Sequence, residues 1–239
     1  MQVSTRALVF SSVKYAEADL IVSCFTETYG LKSYLLRGIL KSRKGKLRIS
    51  MFQPLSLLQL EAFHKDNGTL ERIQEAKVGI HYTTLHSEVV KSALVLFISE
   101  ILKHSVKEEE PNPALFRFIE MSLQWLDTHD EVANFHLSFL LKLTNYLGFY
   151  PDFSEKELPY FNLMEGNFQS HLLGNYCETG EAVEFLKILD GKQYDQLPQV
   201  KISKKQRRQA LELILTYYQL HLQGYRPPKS LPVLTQLFH

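Results

Sequence analysis

The sequence predicts an α+β protein in which a small five-stranded barrel precedes a helical region. Three observations predict it. Residues 1–78 hold five short β-rich segments and no helical apolar stripe, whereas after Ile80 the apolar residues recur at spacings of three and four. The 239 residues, 45% hydrophobic and 22% charged, are enough for a packed core in one large domain or two small ones.

Residues 3–14 are rich in β-formers, residues 19–26 form a second strand, and residues 31–40 follow a turn at Gly30 as a third. In the fourth, residues 52–63, Leu58, Leu60 and Ala62 share one face while Gln59 and Glu61 share the other. Asn67-Gly68 tolerates positive φ and predicts a hairpin leading into a fifth strand at 69–78. Five short strands in this arrangement predict an OB-fold, a barrel suited to single-stranded nucleic acids, although strand order cannot be read from the pattern.

The helical texture starts with Leu85, Val89, Val90, Ala93, Leu94, Phe97, Ile101 and Leu102. Pro111 and Pro113 stop that helix. Leu115, Ile119, Leu123 and Leu126 predict a second helix, and Val132, Phe135, Phe139, Leu143 and Leu147 a third, ended by Gly148 and Pro151. Residues 152–180 lack helical period, and 160–169 read as a hairpin turning at Glu165-Gly166. A short helix is expected at 181–189. Ser203 then caps a long helix to about Leu222, and a last turn occupies 231–238. The expected domains are therefore 1–79 and 80–239, the second with an irregular insert at about 150–180.

Several function classes drop out. The longest strongly apolar run, 93–98, has six residues, against the roughly 20 of a membrane span. The first residues show no signal-peptide pattern, and two cysteines, Cys24 and Cys177, make neither a disulfide scaffold nor a four-thiolate zinc site. A cytoplasmic protein without a membrane role is expected. Gly45-Lys46 is followed by Leu47, so no P-loop is present, and there is no Gly-x-Ser-x-Gly elbow. His81 and His86 are about 500° apart around a helix, and His129 and His136 about 10 Å along one, so neither pair shares a metal ion. No enzyme is expected.

The net charge of +1 conceals a strong asymmetry. Residues 30–54 carry seven cations and no acid: Lys32, Arg37, Lys41, Arg43, Lys44, Lys46 and Arg48. Residues 196–211 carry five, Lys201, Lys204, Lys205, Arg207 and Arg208, again without an acid, which leaves the rest of the chain at −11. Purely basic segments on a near-neutral protein recruit polyanions. The loop containing Lys41, Arg43, Lys44, Lys46 and Arg48 can follow a phosphate backbone and release its counterions. Tyr34 is the aromatic best placed to stack on a base beside them, with Phe52 and Tyr29 behind it, although strand aromatics more often pack in cores. Strand parity puts Lys32 and Tyr34 on one face and Arg37 on the other unless a bulge intervenes near Gly38. Lys204, Lys205, Arg207 and Arg208 crowd the positive end of a helix, where a phosphate would relieve them; pairing of Arg207 or Arg208 with acids is the competing reading.

The run Ala7-Leu-Val-Phe-Ser-Ser-Val-Lys-Tyr-Ala-Glu-Ala-Asp-Leu-Ile-Val22, the segment Phe25-Thr-Glu-Thr-Tyr-Gly30 and the basic stretch after it resemble the RecO family of bacterial recombination mediators. Tyr218, His221 and Leu222, followed by Lys229, Ser230, Leu231, Val233 and Leu234, look like that family's C-terminal pattern. The resemblance spans nearly the whole chain and rests on packing and turn residues. It implies an OB-fold followed by a helical domain, and binding of single- and double-stranded DNA with annealing of complementary strands. It also implies partnership with RecR, contact with the C-terminal tail of the single-strand-binding protein, and an indirect part in loading RecA. Many members hold a four-cysteine zinc motif in the irregular segment, whereas residues 152–180 here offer only Cys177 among Phe153, Tyr160, Phe161, Phe168 and Tyr176. An apolar cluster without zinc, and no cofactor, is expected. Two other readings compete with the mediator: a protein–protein adaptor working through the helical domain, and an OB-type RNA-binding factor.

Overall fold

A computed structural model describes residues 1–41, 46–65, 69–107 and 110–238. The chain divides into two compact units, Met1–Asp127 and Thr128–His239.

The first unit opens with five strands, β1 (Gln2–Tyr15), β2 (Asp19–Thr26), β3 (Gly30–Leu36), β4 (Leu57–Phe63) and β5 (Arg72–Val78). Their order in the sheet is β3-β2-β1-β4-β5, with each of the four neighbouring pairs antiparallel. The two ends then meet. Tyr34 bridges Glu71 in parallel, Glu71 N–H donates to the Ser33 carbonyl at 2.8 Å, and Leu35 N–H donates to the Glu71 carbonyl at 3.0 Å. This closed ring is the OB-fold. Its interior is filled by alternate residues, among them Val3, Ala7 and Val9 of β1, Val22 and Cys24 of β2, Tyr34 and Leu36 of β3, and Leu58, Leu60 and Ala62 of β4. The third and fourth strands are shorter than the apolar runs that predict them. Ile39 and Phe52 are buried, but they enter the core from the connection after β3, where Ile49–Phe52 form a 3-10 turn. The predicted hairpin turn at Asn67-Gly68 lies outside the described residues.

Two helices complete this unit, α1 (Val89–Ser105) and α2 (Pro113–Thr128, its last residue past the unit boundary). One end of the outer sheet face packs against them. Phe10 stacks on Phe25 at 5.5 Å, Phe25 meets Phe116 of α2 at 6.0 Å, and the Arg6 guanidinium lies 5.2 Å over the Phe116 ring. Arg6 also binds Glu27 at 2.7 Å and Glu120 at 2.6 Å, which holds the Glu27 carboxyl below its ordinary pKa.

The second unit contains α3 (Phe135–Tyr146), a small sheet of β6 (Tyr160–Asn162), β7 (Asn167–Gln169) and β8 (Cys177–Glu178), then α4 (Glu181–Leu189), α5 (Lys204–His221) and α6 (Leu231–Phe238). β6 and β7 form the hairpin expected at 160–169, with Gly166 at φ 69° in its turn. β8 pairs with the other edge of β6, a two-residue strand that no periodicity signals. Phe168 lies 5.5 Å from Phe153 and 5.0 Å from Phe161, an aromatic cluster on the irregular segment, whereas Tyr176 is exposed. Ser203 caps α5 as expected: its hydroxyl accepts from Gln206 N–H at 3.2 Å, and the Gln206 side chain accepts from Ser203 N–H at 2.8 Å. No helix among the described residues is long and apolar enough to cross a membrane.

Candidate nucleic-acid interface

The outer face of the barrel has a part that the helices leave open. Cross-strand register sets Ser11, Ser23 and Ser33 in one row and Val13, Ile21 and Leu35 in the next, all half-buried or exposed. Leu35 follows Tyr34, the partner of Glu71, so Arg72 of β5 stands beside it. Arg72 in turn faces Phe63 of β4. Small hydroxyls and a low apolar ridge let an extended ligand lie close to the backbone of β2 and β3. A β-bulge between Val9 and Ser11 bends β1 where the covered part of the face gives way to the open part.

The cations expected to bind DNA differ in exposure. Arg37, Lys41, Lys46 and Arg48 are exposed, and Lys41 pairs with Glu17 at 3.3 Å across a solvated gap. Arg37 lies one residue past the end of β3, in a turn, and is exposed where Tyr34 is buried; β3 pairs with β2 without a register shift, and the bulges fall in β1 and β5 instead. Lys32, half-buried, pairs in register with Cys24. Arg43 and Lys44 lie outside the described residues.

Tyr34 needs correcting as a stacking platform. It is 0% exposed inside the barrel, its hydroxyl lies 2.9 Å from His64 Nε2, and its ring has no face open to a base. Phe52 is buried as well, and Tyr29 meets His64 edge-on at 5.0 Å while packing on the barrel core. The barrel needs large side chains to fill its interior, and these aromatics supply them.

In the second unit the basic cluster divides. Lys204, Lys205 and Arg208 are exposed on the first turns of α5, with Arg208 3.6 Å from Glu212 one turn on. Arg207 turns inward. Its Nε donates to the Asn134 side-chain oxygen at 3.0 Å, its Nη atoms reach the carbonyls of Phe238 and Ile202 at 3.4 and 3.5 Å, and burial lowers its pKa. Of the two arginines expected to pair with acids, Arg208 does so and Arg207 does not. Its partners are an amide and backbone oxygens.

Residues that sequence reasoning missed line a groove of about 840 Å³ between β3 and β5. Phe63 and Leu70 are 41% and 39% exposed there, with Arg37, Lys65 and Arg72 at its margins and Leu47 at one end. The signal was available: the alternation that turns Gln59 and Glu61 outward also turns Phe63 outward.

A closed five-stranded barrel with an open β2–β3 face and exposed cations, on a chain that continues into helices, defines an OB-type module joined to a helical region. A family model described as Recombination protein O N terminal matches residues 1–80, and one described as Recombination protein O C terminal matches residues 86–232. Proteins called DNA repair protein RecO from Christiangramia forsetii and Flavobacterium psychrophilum are each 46% identical to this chain, over 238 and 239 residues and the full length of both partners. One from Bacteroides fragilis is 34% identical, covering 98% of each chain. The chain belongs to the RecO family of DNA repair and recombination proteins.

Proposed function

We propose that the protein is a non-enzymatic recombination mediator that binds single- and double-stranded DNA and anneals complementary strands. With RecR it helps load RecA onto DNA covered by the single-strand-binding protein, whose C-terminal tail it contacts. The observation that carries the DNA-binding part is the open β2–β3 face together with exposed Arg37, just past the end of β3, and exposed Lys41, Lys46 and Arg48 in the segment that follows. Cations gathered at the margin of a face that lets a chain approach closely favour a polyanion over a neutral ligand. Lys204, Lys205 and Arg208 offer a further set of phosphate contacts in their own unit.

The test is a titration of fluorescent single-stranded DNA at several salt concentrations, alone and with RecR, on the parent and on a Lys41→Glu, Lys46→Glu, Arg48→Glu variant. Loss of three phosphate contacts flattens the salt slope by about 2. Equal affinity and slope in parent and variant would count against this face. Annealing of complementary oligonucleotides, measured on the same proteins, follows the affinity.

A further inference from the structure

We propose that the groove between β3 and β5 seats an unstacked base of single-stranded DNA on the Phe63 ring, with Arg72 and Arg37 holding phosphates on either side. This rests on the DNA-binding reading above and names the single-stranded form as the occupant of this part of the barrel. Phe63 ends β4 on the outer face, directly opposite Arg72, and 41% of it stays in solvent although the barrel core lies one residue away. Leu35 and Leu70 extend the apolar floor around it. An exposed aromatic paired with a guanidinium is the arrangement that holds bases without reading their sequence, because every base offers a π-face.

The charges agree with that occupant. Among the described residues that line the groove the acid is Glu71, and it is 5% exposed with its carboxylate accepting from Lys65 N–H at 2.9 Å, so it is turned into the wall. Leu47 lines the groove between exposed Lys46 and Arg48, which makes the groove continuous with the basic segment. At the seam a peptide cannot add itself as a strand, because the backbone of Ser33, Leu35 and Glu71 is used to close the barrel. A duplex keeps its π-faces inside the stack, so the Phe63 seat discriminates in favour of single strands.

The experiment compares the full-length parent with Phe63→Ala on a fluorescent oligothymidine and on a duplex of equal length, with a thermal melt of each protein. The expected result is a loss of about tenfold or more in single-strand affinity, duplex affinity unchanged, and recovery with Phe63→Trp. Arg72→Gln, at an exposed position, provides a second reading: weaker single-strand binding with a salt slope shallower by about 0.7. Parent-like single-strand affinity in both Phe63→Ala and Arg72→Gln overturns the seat, as does an equal loss on single strand and duplex. So does a Phe63→Ala protein that binds DNA normally but loses an acidic, apolar-ended peptide, which would give the groove to a protein partner. A parent protein that binds no single strand at all fails the DNA-binding reading itself, a result distinct from these.

Discussion

Arg207 ties the start of α5 to the residue before α3 by donating Nε to the Asn134 side-chain oxygen at 3.0 Å, while the Asn134 amide donates to the Val200 carbonyl at 2.8 Å. Asn134 is buried, so removing its donor strands an acceptor away from water. Arg207→Ala should destabilise the protein by about 1–3 kcal/mol, read by urea or thermal unfolding. Lys204→Glu with Lys205→Glu should leave unfolding nearly unchanged and weaken DNA binding, because both side chains are exposed. The opposite pattern, a stable Arg207→Ala with poor DNA binding, would return Arg207 to the interface.

Tyr34 is the corresponding test in the barrel. Its hydroxyl and His64 Nε2 are 2.9 Å apart in a site with no solvent exposure at Tyr34. Tyr34→Phe keeps the ring in the core and removes that bond, so it should cost about 1 kcal/mol of stability and leave single-strand affinity unaltered. A DNA-binding defect in a normally stable Tyr34→Phe protein would show that the hydroxyl reaches the ligand.

The difference between Tyr34 and Phe63 shows how far the sequence can be read. Alternation locates both on strands and gives the relative face of each within its own strand. Which face of β3 is the inside depends on the closure through Glu71, a contact between residues far apart in sequence that no local pattern encodes. The cations of residues 30–54 are legible as a segment because charge is local, and the inward turn of Arg207 is not, because Asn134 is 73 residues away. The helix stripe beginning at Leu85 misleads for a related reason. Residues 80–88 are bends, turns and irregular chain, and the amides of Thr83, Thr84 and Leu85 are taken by the Asp127 carboxylate rather than by carbonyls one turn back.

Gly166 makes a prediction for the second unit. Its φ of 69° disfavours any side chain, and a Cβ there would meet the Tyr217 hydroxyl oxygen at 2.5 Å. Tyr217 cannot yield freely, since its hydroxyl donates to the Phe149 carbonyl at 2.9 Å and its ring packs on Phe149 and His221 at 5.7 and 4.2 Å. Gly166→Ala should therefore lose about 2 kcal/mol or more, from backbone strain and displaced packing together. Gly148→Ala, at φ 82° with no atom within 4 Å of the added Cβ, isolates the backbone part and should cost less. Equal melting temperatures for the two variants would deny Tyr217 its part in the effect.

Asp127 gives the protein a predictable response to acid. Burial pushes its carboxyl pKa up, but the amides of Thr83, Thr84 and Leu85 and the Thr84 hydroxyl outweigh burial and bring it from 3.8 to about 2. The folded state thus releases this proton more readily than the unfolded chain. Its stabilisation is in place above pH 3.8 and is lost as pH falls through 2, and between those values unfolding free energy rises with pH. The difference corresponds to about 2 kcal/mol. Asp127→Asn keeps the shape and one acceptor oxygen but discards the charge, so it should be destabilised by a similar amount near neutral pH. The gap between parent and variant should then narrow as the solution is acidified toward pH 2, measured by urea unfolding at a series of pH values. A gap that stays constant from neutral pH to pH 2 would mean that the carboxylate charge contributes nothing to the link between α2 and the start of α1.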